Sequence, residues 1–72
     1  MKKAEIDSIL SSGHGHWKIE VSVQDIDKTF RFTTTNSEAI DNFRSSTDLD
    51  IKIEAETELL NEFWRTRELQ VD

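Results

Sequence analysis

Two segments in the first half of the chain alternate between apolar and polar residues, and this pattern constrains the fold most strongly. In residues 16–24 every second residue is apolar, and Phe30 and Phe32 alternate with polar residues in the segment that follows. A period of two is typical of strands that bury one face. The connection over residues 25–28 is short, so the sequence predicts an antiparallel hairpin.

The register of this hairpin follows from keeping its apolar residues on one face. Placing Val23 opposite Phe30 and Val21 opposite Phe32 achieves this, whereas a shift by one residue divides the face. An even-length turn is required, so we expect a two- or four-residue turn within 25–28. The segment has neither Asn-Gly nor Asp-Gly, which leaves the turn type open.

Residues 3–11 fit two interpretations. Ile6, Ile9 and Leu10 have the spacing of a helix face, whereas Ala4, Ile6 and Leu10 fit a strand face. A single hairpin is only marginally stable in water, and the need for a third strand favours the strand. Residues 11–15, Ser-Ser-Gly-His-Gly, would then form the loop into the next strand.

A first helix is predicted to begin after Thr35. Thr35 as N-cap and Glu38 three residues later form a capping box, in which each side chain satisfies a backbone donor. Ser45 and Ser46 compete for backbone hydrogen bonds, so the helix should end near them. Its apolar stripe consists of Ala39, Ile40 and Phe43.

The segment from Asp48 onward also has two interpretations. Residues 49–53 alternate like a short strand, which a helix would follow. On a helical wheel of about 100° per residue, six apolar residues instead fall within about 140°. One helix over residues 48–68, capped by Thr47 or Asp48, accounts for more of them and is our prediction. The six residues are Leu49, Ile53, Leu59, Leu60, Phe63 and Trp64.

These elements predict an α+β fold in the order β-β-β-α-α, with a small three-stranded antiparallel sheet covered on one face by two helices. We expect the 72 residues to form one domain, 1–72. The chain has no cysteine, so no disulfide or CxxC zinc site can stabilise it. The predicted core consists of Ile6, Leu10, Trp17, Ile19, Val21, Val23, Phe30, Phe32, Ile40, Phe43, Leu60, Phe63 and Trp64.

The charge is distributed unevenly along the chain. Acids and bases balance in residues 1–35, so residues 36–72 carry the whole net charge of -6. No Lys/Arg cluster exists, which argues against direct nucleic-acid binding. Four acidic residues of the last helix recur every fourth position and stack like charges on one face. They are Asp50, Glu54, Glu58 and Glu62.

This acidic stripe has three interpretations. A solvated face that keeps the protein soluble is the plain one. A docking surface for a basic protein partner is the functional interpretation that we prefer. A mimic of a phosphate backbone, blocking a nucleic-acid-binding protein, is the alternative.

The motif His14-Gly15-His16 suggests a metal site. On an extended backbone two histidines at i and i+2 point the same way and could share an ion. No further ligand belongs to the same local spacing, so the sequence predicts a Gly-rich connection and no cofactor. A metal-binding protein that uses His14 and His16 is the alternative.

No catalytic signature is present: the chain has no P-loop, no G-x-S-x-G and no H-E-x-x-H. We therefore expect a soluble, non-enzymatic interaction or regulatory protein, with the composition of a bacterial or phage accessory protein. Glu5 and Asp7 interrupt any apolar leader and no long apolar run exists, which predicts a cytoplasmic location and no membrane segment.

The wide apolar arc of the last helix exceeds what a small sheet covers, which favours a homodimer. Its predicted contacts are Leu59, Leu60, Phe63 and Trp64.

Overall fold

The computed structural model describes the backbone of residues 3–69 and the side chains of residues 3–66. Three strands form one antiparallel sheet in the order β1-β2-β3, and two helices follow. The α+β class and the element order are therefore confirmed, as are a strand at 3–11 and one long helix from 49 onward. The elements are β1 Ala4–Gly13, β2 His16–Val23, β3 Ile26–Thr34, α1 Ser37–Ser45 and α2 Leu49–Leu69.

The chain divides into two compact units, one with the three strands and one with the two helices. The first comprises residues 1–35 and the second residues 36–72. This boundary coincides with the division of charge, so the sheet unit is neutral and the helical unit carries the whole net charge of -6. A single domain over 1–72 stays a prediction.

A bulge in β1 changes the face on which the following residues lie. The register shifts at Asp7, after which Ile9 lies opposite Ile19 and Leu10 lies opposite Lys18. One extra residue in a strand exchanges the two faces beyond it. Leu10 is consequently 58% exposed, and its predicted place in the core is wrong. Ile9 takes the inward position and is half-buried.

A tight turn joins β1 to β2 in place of the predicted loop over 11–15. His14 and Gly15 form this turn, and Gly13 pairs with His16. The φ angles of His14 and Gly15 are 54° and 77°. Positive φ at both central positions is the requirement of a type I′ hairpin turn, which matches the twist of the flanking strands. The loop prediction is wrong because the strands continue to the turn.

The second hairpin has the predicted face but not the predicted register. Val21 lies opposite Phe30, not Phe32, and Val23 lies opposite Ile26, not Phe30. Side chains alternate with a period of two, so a displacement by two residues leaves each of them on its original face. The inward-facing set was therefore predicted correctly although the pairing was wrong.

The cause of the displacement is the turn and an irregularity beside it. The turn has an even length, as expected, but consists of Gln24 and Asp25 and so begins before the predicted window. Asp25 has a φ of 67°, a left-handed conformation that Asp tolerates better than most residues. A register shift next to Val23 leaves Asp27 and Lys28 as additional residues on β3.

Each unit has its own set of buried residues. Several aromatic residues that were predicted in the core are only half-buried: Trp17, Phe30, Phe43 and Trp64. Ile6 and Leu60 are half-buried as well. In the sheet unit the buried residues are Ala4, Ile19, Val21, Val23, Phe32 and Thr34. In the helical unit, where α1 packs against α2, they are Ala39, Ile40, Ala55, Leu59 and Phe63.

The helix caps differ from the prediction at α1 and agree with it at α2. Asn36 is the N-cap of α1, and its Oδ1 accepts a hydrogen bond of 3.1 Å from the backbone N–H of Ala39. The capping box on Thr35 is therefore wrong.

Asp48 precedes α2, and its Oδ1 accepts a hydrogen bond of 2.9 Å from the backbone N–H of Asp50. The end of α1 at Ser45 is as predicted.

Candidate functional site

The predicted docking residues lie on α2, and three of them are exposed. Asp50, Glu54 and Glu58 are exposed, whereas Glu62 is half-buried. At about 100° per residue the three exposed side chains fall within an arc of about 80°. We call Asp50, Glu54 and Glu58 the acidic band. Residues four apart are neighbours on a helix surface, so the band forms a continuous row of carboxylates.

An open groove between α1 and α2 extends this negative surface. Its volume is about 380 Å³. Three of its lining residues are acidic, one of them from α1, and none of the described residues that line it is basic. The lining residues are Glu38, Asn42, Glu54, Ala55, Thr57, Glu58 and Asn61. We call this feature the acidic groove.

Glu58 also has a partner within the helical unit. Asn36 Nδ2 donates a hydrogen bond of 3.0 Å to Glu58 Oε1. The same Asn36 caps α1, so Glu58 orients the cap and places negative charge near the N-terminus of α1, where the helix dipole favours it. Part of the acidic stripe is therefore structural. Sequence spacing missed this contact because the two residues are 22 positions apart.

The helix dipoles account for two further acids but not for Glu54. Glu38 lies in the first turn of α1 and Asp50 in the first turn of α2. Negative side chains are favoured at these positions. Glu54 lies beyond the first turn of α2, and within the described part of the chain its side chain makes no hydrogen bond or ion pair. It is the member of the band with no local structural role.

Three large apolar side chains at the start of α2 are exposed. Leu49 is 68% exposed, Ile51 41% and Ile53 51%. At about 100° per residue, Leu49 and Ile53 lie along one border of the acidic band and Ile51 lies along the other. The predicted apolar arc included Leu49 and Ile53, which the structure leaves in solvent. The side of α2 that is buried consists of Ala55, Leu59 and Phe63.

The residues predicted for a homodimer are unequal in exposure. Leu59 is 0% exposed and Phe63 1%, so both are already buried within the chain. Leu60 and Trp64 are half-buried. The rings of Phe63 and Trp64 meet edge to face, with centroids 4.9 Å apart. Of the four, Leu60 and Trp64 are therefore the two with surface to offer a partner.

The two histidines flank a chain reversal. His14 lies in the turn with a positive φ, and His16 is the first residue of β2. The extended backbone that would point both imidazoles the same way is therefore not present. Among the described residues, no group of three or more His, Cys, Asp or Glu lies close enough together to hold a metal ion.

The polar face of the sheet carries a hydrogen-bonded row across all three strands. Glu20 accepts a hydrogen bond from Ser8 Oγ and another from Arg31 Nε, each of 2.8 Å. The hydrogen bond from Ser8, followed by that from Arg31, lowers the pKa of Glu20 below its ordinary value of 4.5. The observed register places these three residues side by side, whereas the hairpin register predicted from the sequence does not pair Glu20 with Arg31.

No protein-family model matches this chain, and comparison with curated proteins and with solved structures finds no significant similarity. In the part of the chain that the structure describes, no helix combines the length and the hydropathy needed to cross a membrane. The acidic groove is thus the feature from which a function can be argued.

Proposed function

We propose that this chain is a small, non-enzymatic interaction protein of the cytoplasm that binds a basic protein through its acidic groove. The observation that carries the proposal is the convergence of Glu38, Glu54 and Glu58 from two helices on one groove. The helical unit also carries the whole net charge of -6. Such a field raises the rate of association with an oppositely charged surface.

The unrelieved charge repulsion at Glu54 supports binding more directly than the overall charge does. Holding like charges four residues apart costs about 0.2–0.5 kcal/mol per pair in isolated helices. Asp50 and Glu58 have local roles at helix N-termini that offset such a cost. Glu54 has none among the described residues, and yet it lies between them in the band. A positively charged partner would offset this repulsion with favourable interactions.

The charge spacing along α2 favours a basic protein over phosphate-backbone mimicry. Residues four apart on a helix are separated by about 6 Å along its axis. Duplex DNA carries one negative charge per about 1.7 Å. The stripe from Asp50 to Glu62 thus has less than about a third of the linear charge density of a duplex. A protein that needs many phosphate contacts would find too few partners here.

The test compares Glu54→Lys with Asp41→Lys. Both residues are exposed in the helical unit and both substitutions change the net charge equally, but only Glu54 lines the groove. A lysine-rich peptide is titrated into each protein at low ionic strength while backbone amide resonances are followed by NMR. We expect shifts at the groove residues, and a loss of affinity of about tenfold for Glu54→Lys but a smaller one for Asp41→Lys.

Two results would count against the proposal. Equal losses in the two variants would mean that the peptide senses only net charge and that the groove has no special role. Resonance shifts spread evenly over both units would lead to the same conclusion. Glu58 is left unchanged in this test because its substitution would also disturb the cap of α1.

A further inference from the structure

We infer that the partner segment bound at the acidic groove is a basic amphipathic helix, whose apolar side chains contact Leu49 and Ile53 while its Lys or Arg side chains reach the acidic band. This inference depends on the proposed function and adds the chemistry of the partner. It is carried by the exposed apolar residues at the start of α2.

Leu49 and Ile53 form a short apolar row beside the acidic band. They are 68% and 51% exposed and lie four residues apart, so they are neighbours on one side of the helix. Single exposed apolar residues are ordinary, but an adjacent pair bordered by charge resembles the composition of an interaction surface. Covering the pair would remove apolar surface from water, which favours association.

The charge beside this row selects the occupant. A second copy of the chain would bring another helical unit of net charge -6 against the first. At about 100° per residue, Asp50 and Lys52 each lie about 60° from the row, on its two sides, and the acidic band continues beyond Asp50 through Glu54 and Glu58. A positively charged partner therefore fits this surface better than a second copy. Long Lys and Arg side chains suit it doubly, because their aliphatic stems pack on apolar surface while their charged ends reach carboxylates.

The parallel course of the two rows selects a helix over an extended peptide. Leu49 and Ile53 run along α2 beside Asp50, Glu54 and Glu58, so an apolar row and an acidic row share one surface. A helical partner can present an apolar row and a basic row side by side, since residues four apart align on it. In an extended strand alternate residues point to opposite faces, and a strictly alternating apolar and basic peptide presents only one of the two.

The experiment uses two synthetic peptides of identical Leu, Lys and Ala composition. One places Leu and Lys in adjacent rows on a helix, and the other has the same residues scrambled around it. Binding of each to the full chain is measured by calorimetry, for the wild type and for Leu49→Ser/Ile53→Ser. We expect the amphipathic peptide to bind the wild type at least about tenfold more tightly than the scrambled one. The double variant should lose this preference while its affinity for the scrambled peptide stays the same.

The outcomes separate the inference from the proposed function. Equal affinity of the wild type for both peptides overturns the amphipathic partner and leaves the groove as an electrostatic site. Failure of both peptides to bind overturns the proposed function and this inference together. Sedimentation of the wild type as a dimer that Leu49→Ser/Ile53→Ser dissociates assigns the row to a second copy and also overturns the inference. Far-UV circular dichroism confirms that the variant, altered only at exposed positions, retains its helices.

Discussion

Asn36 donates a hydrogen bond of 3.0 Å to Glu58 and at the same time caps α1 through Ala39. One side chain thus joins the start of the first helix to the middle of the second. The amide is suited to both tasks because its oxygen accepts while its nitrogen donates. Thr35, one residue earlier, has only a hydroxyl and does not provide the cap.

This arrangement predicts a clear difference between two adjacent alanine substitutions. Asn36→Ala removes the cap and the bond to Glu58, and should lower the free energy of unfolding by about 0.5–2 kcal/mol. Thr35→Ala affects an exposed residue outside the helix and should change it by less than about 0.5 kcal/mol. Urea unfolding followed by circular dichroism measures both. A larger loss from Thr35→Ala than from Asn36→Ala would restore the capping box that the sequence suggests.

Because the bulge at Asp7 places Leu10 on the exposed face, we expect Leu10 to tolerate truncation better than Ile19 on the neighbouring strand. Ile19 is 0% exposed, so Ile19→Val should cost about 0.5–1.5 kcal/mol through the lost methyl group and the cavity it leaves. Leu10 is 58% exposed, so Leu10→Ala should change stability by less than about 0.5 kcal/mol although more atoms are removed. Thermal unfolding of both variants tests this. A greater loss from Leu10→Ala would place that residue in the core.

The local periodicity of the sequence was sufficient for the elements but not for their pairing. Alternation identified β2 and β3 and their inward faces, because a face survives any even displacement. The bulge at Asp7 and the left-handed Asp25 depend on backbone conformation that no apolar pattern encodes. Each of them moved a predicted contact: the first sent Leu10 outward and the second displaced the pairing of Val23.

The candidate site was predictable to a similar extent. A spacing of four residues placed the acidic band on one side of α2, and the structure leaves all three members exposed. The helical wheel could not show where burial along α2 stops. α1 lies beside the first half of α2, where its cap Asn36 bonds Glu58, so Leu49 and Ile53 are exposed because they lie on another side of α2 from the buried Ala55 and Leu59. Nor could spacing reveal that Glu58 has a partner in Asn36.

The turn between β1 and β2 predicts the response of His14 to substitution. His14 has a φ of 54°, which Gly adopts freely and β-branched residues adopt at a cost. His14→Gly should be neutral or slightly stabilising, whereas His14→Val should cost about 1–2 kcal/mol. Chemical unfolding of the two variants measures the difference. Equal stability would show that the turn does not require the left-handed conformation.

The same turn bears on the metal hypothesis. The chain reverses between His14 and His16, so the extended backbone on which the metal hypothesis depends is not present, and among the described residues no third ligand lies close enough to complete a site. We expect no saturable binding at micromolar Zn²⁺ when the imidazole resonances of both are followed by NMR. Saturable binding that His16→Ala abolishes would establish the metal site instead.

The row of Ser8, Glu20 and Arg31 predicts a specific dependence of stability on acid. Hydrogen bonds from Ser8 and Arg31 lower the pKa of Glu20 in the folded chain below its ordinary value of 4.5. The unfolded chain therefore binds this proton more readily, so the contribution of Glu20 to stability is present above that value and disappears as the pH falls through the lower, folded pKa. Ser8→Ala should raise the pKa of Glu20 toward 4.5, since the hydrogen bond from Ser8 is the largest cause. An NMR titration of the Glu20 carboxyl carbon in the wild type and in Ser8→Ala measures this shift. A control with Ser12→Ala, which lies outside the row, should leave the titration unchanged, and an equal pKa in all three proteins would contradict the assigned cause.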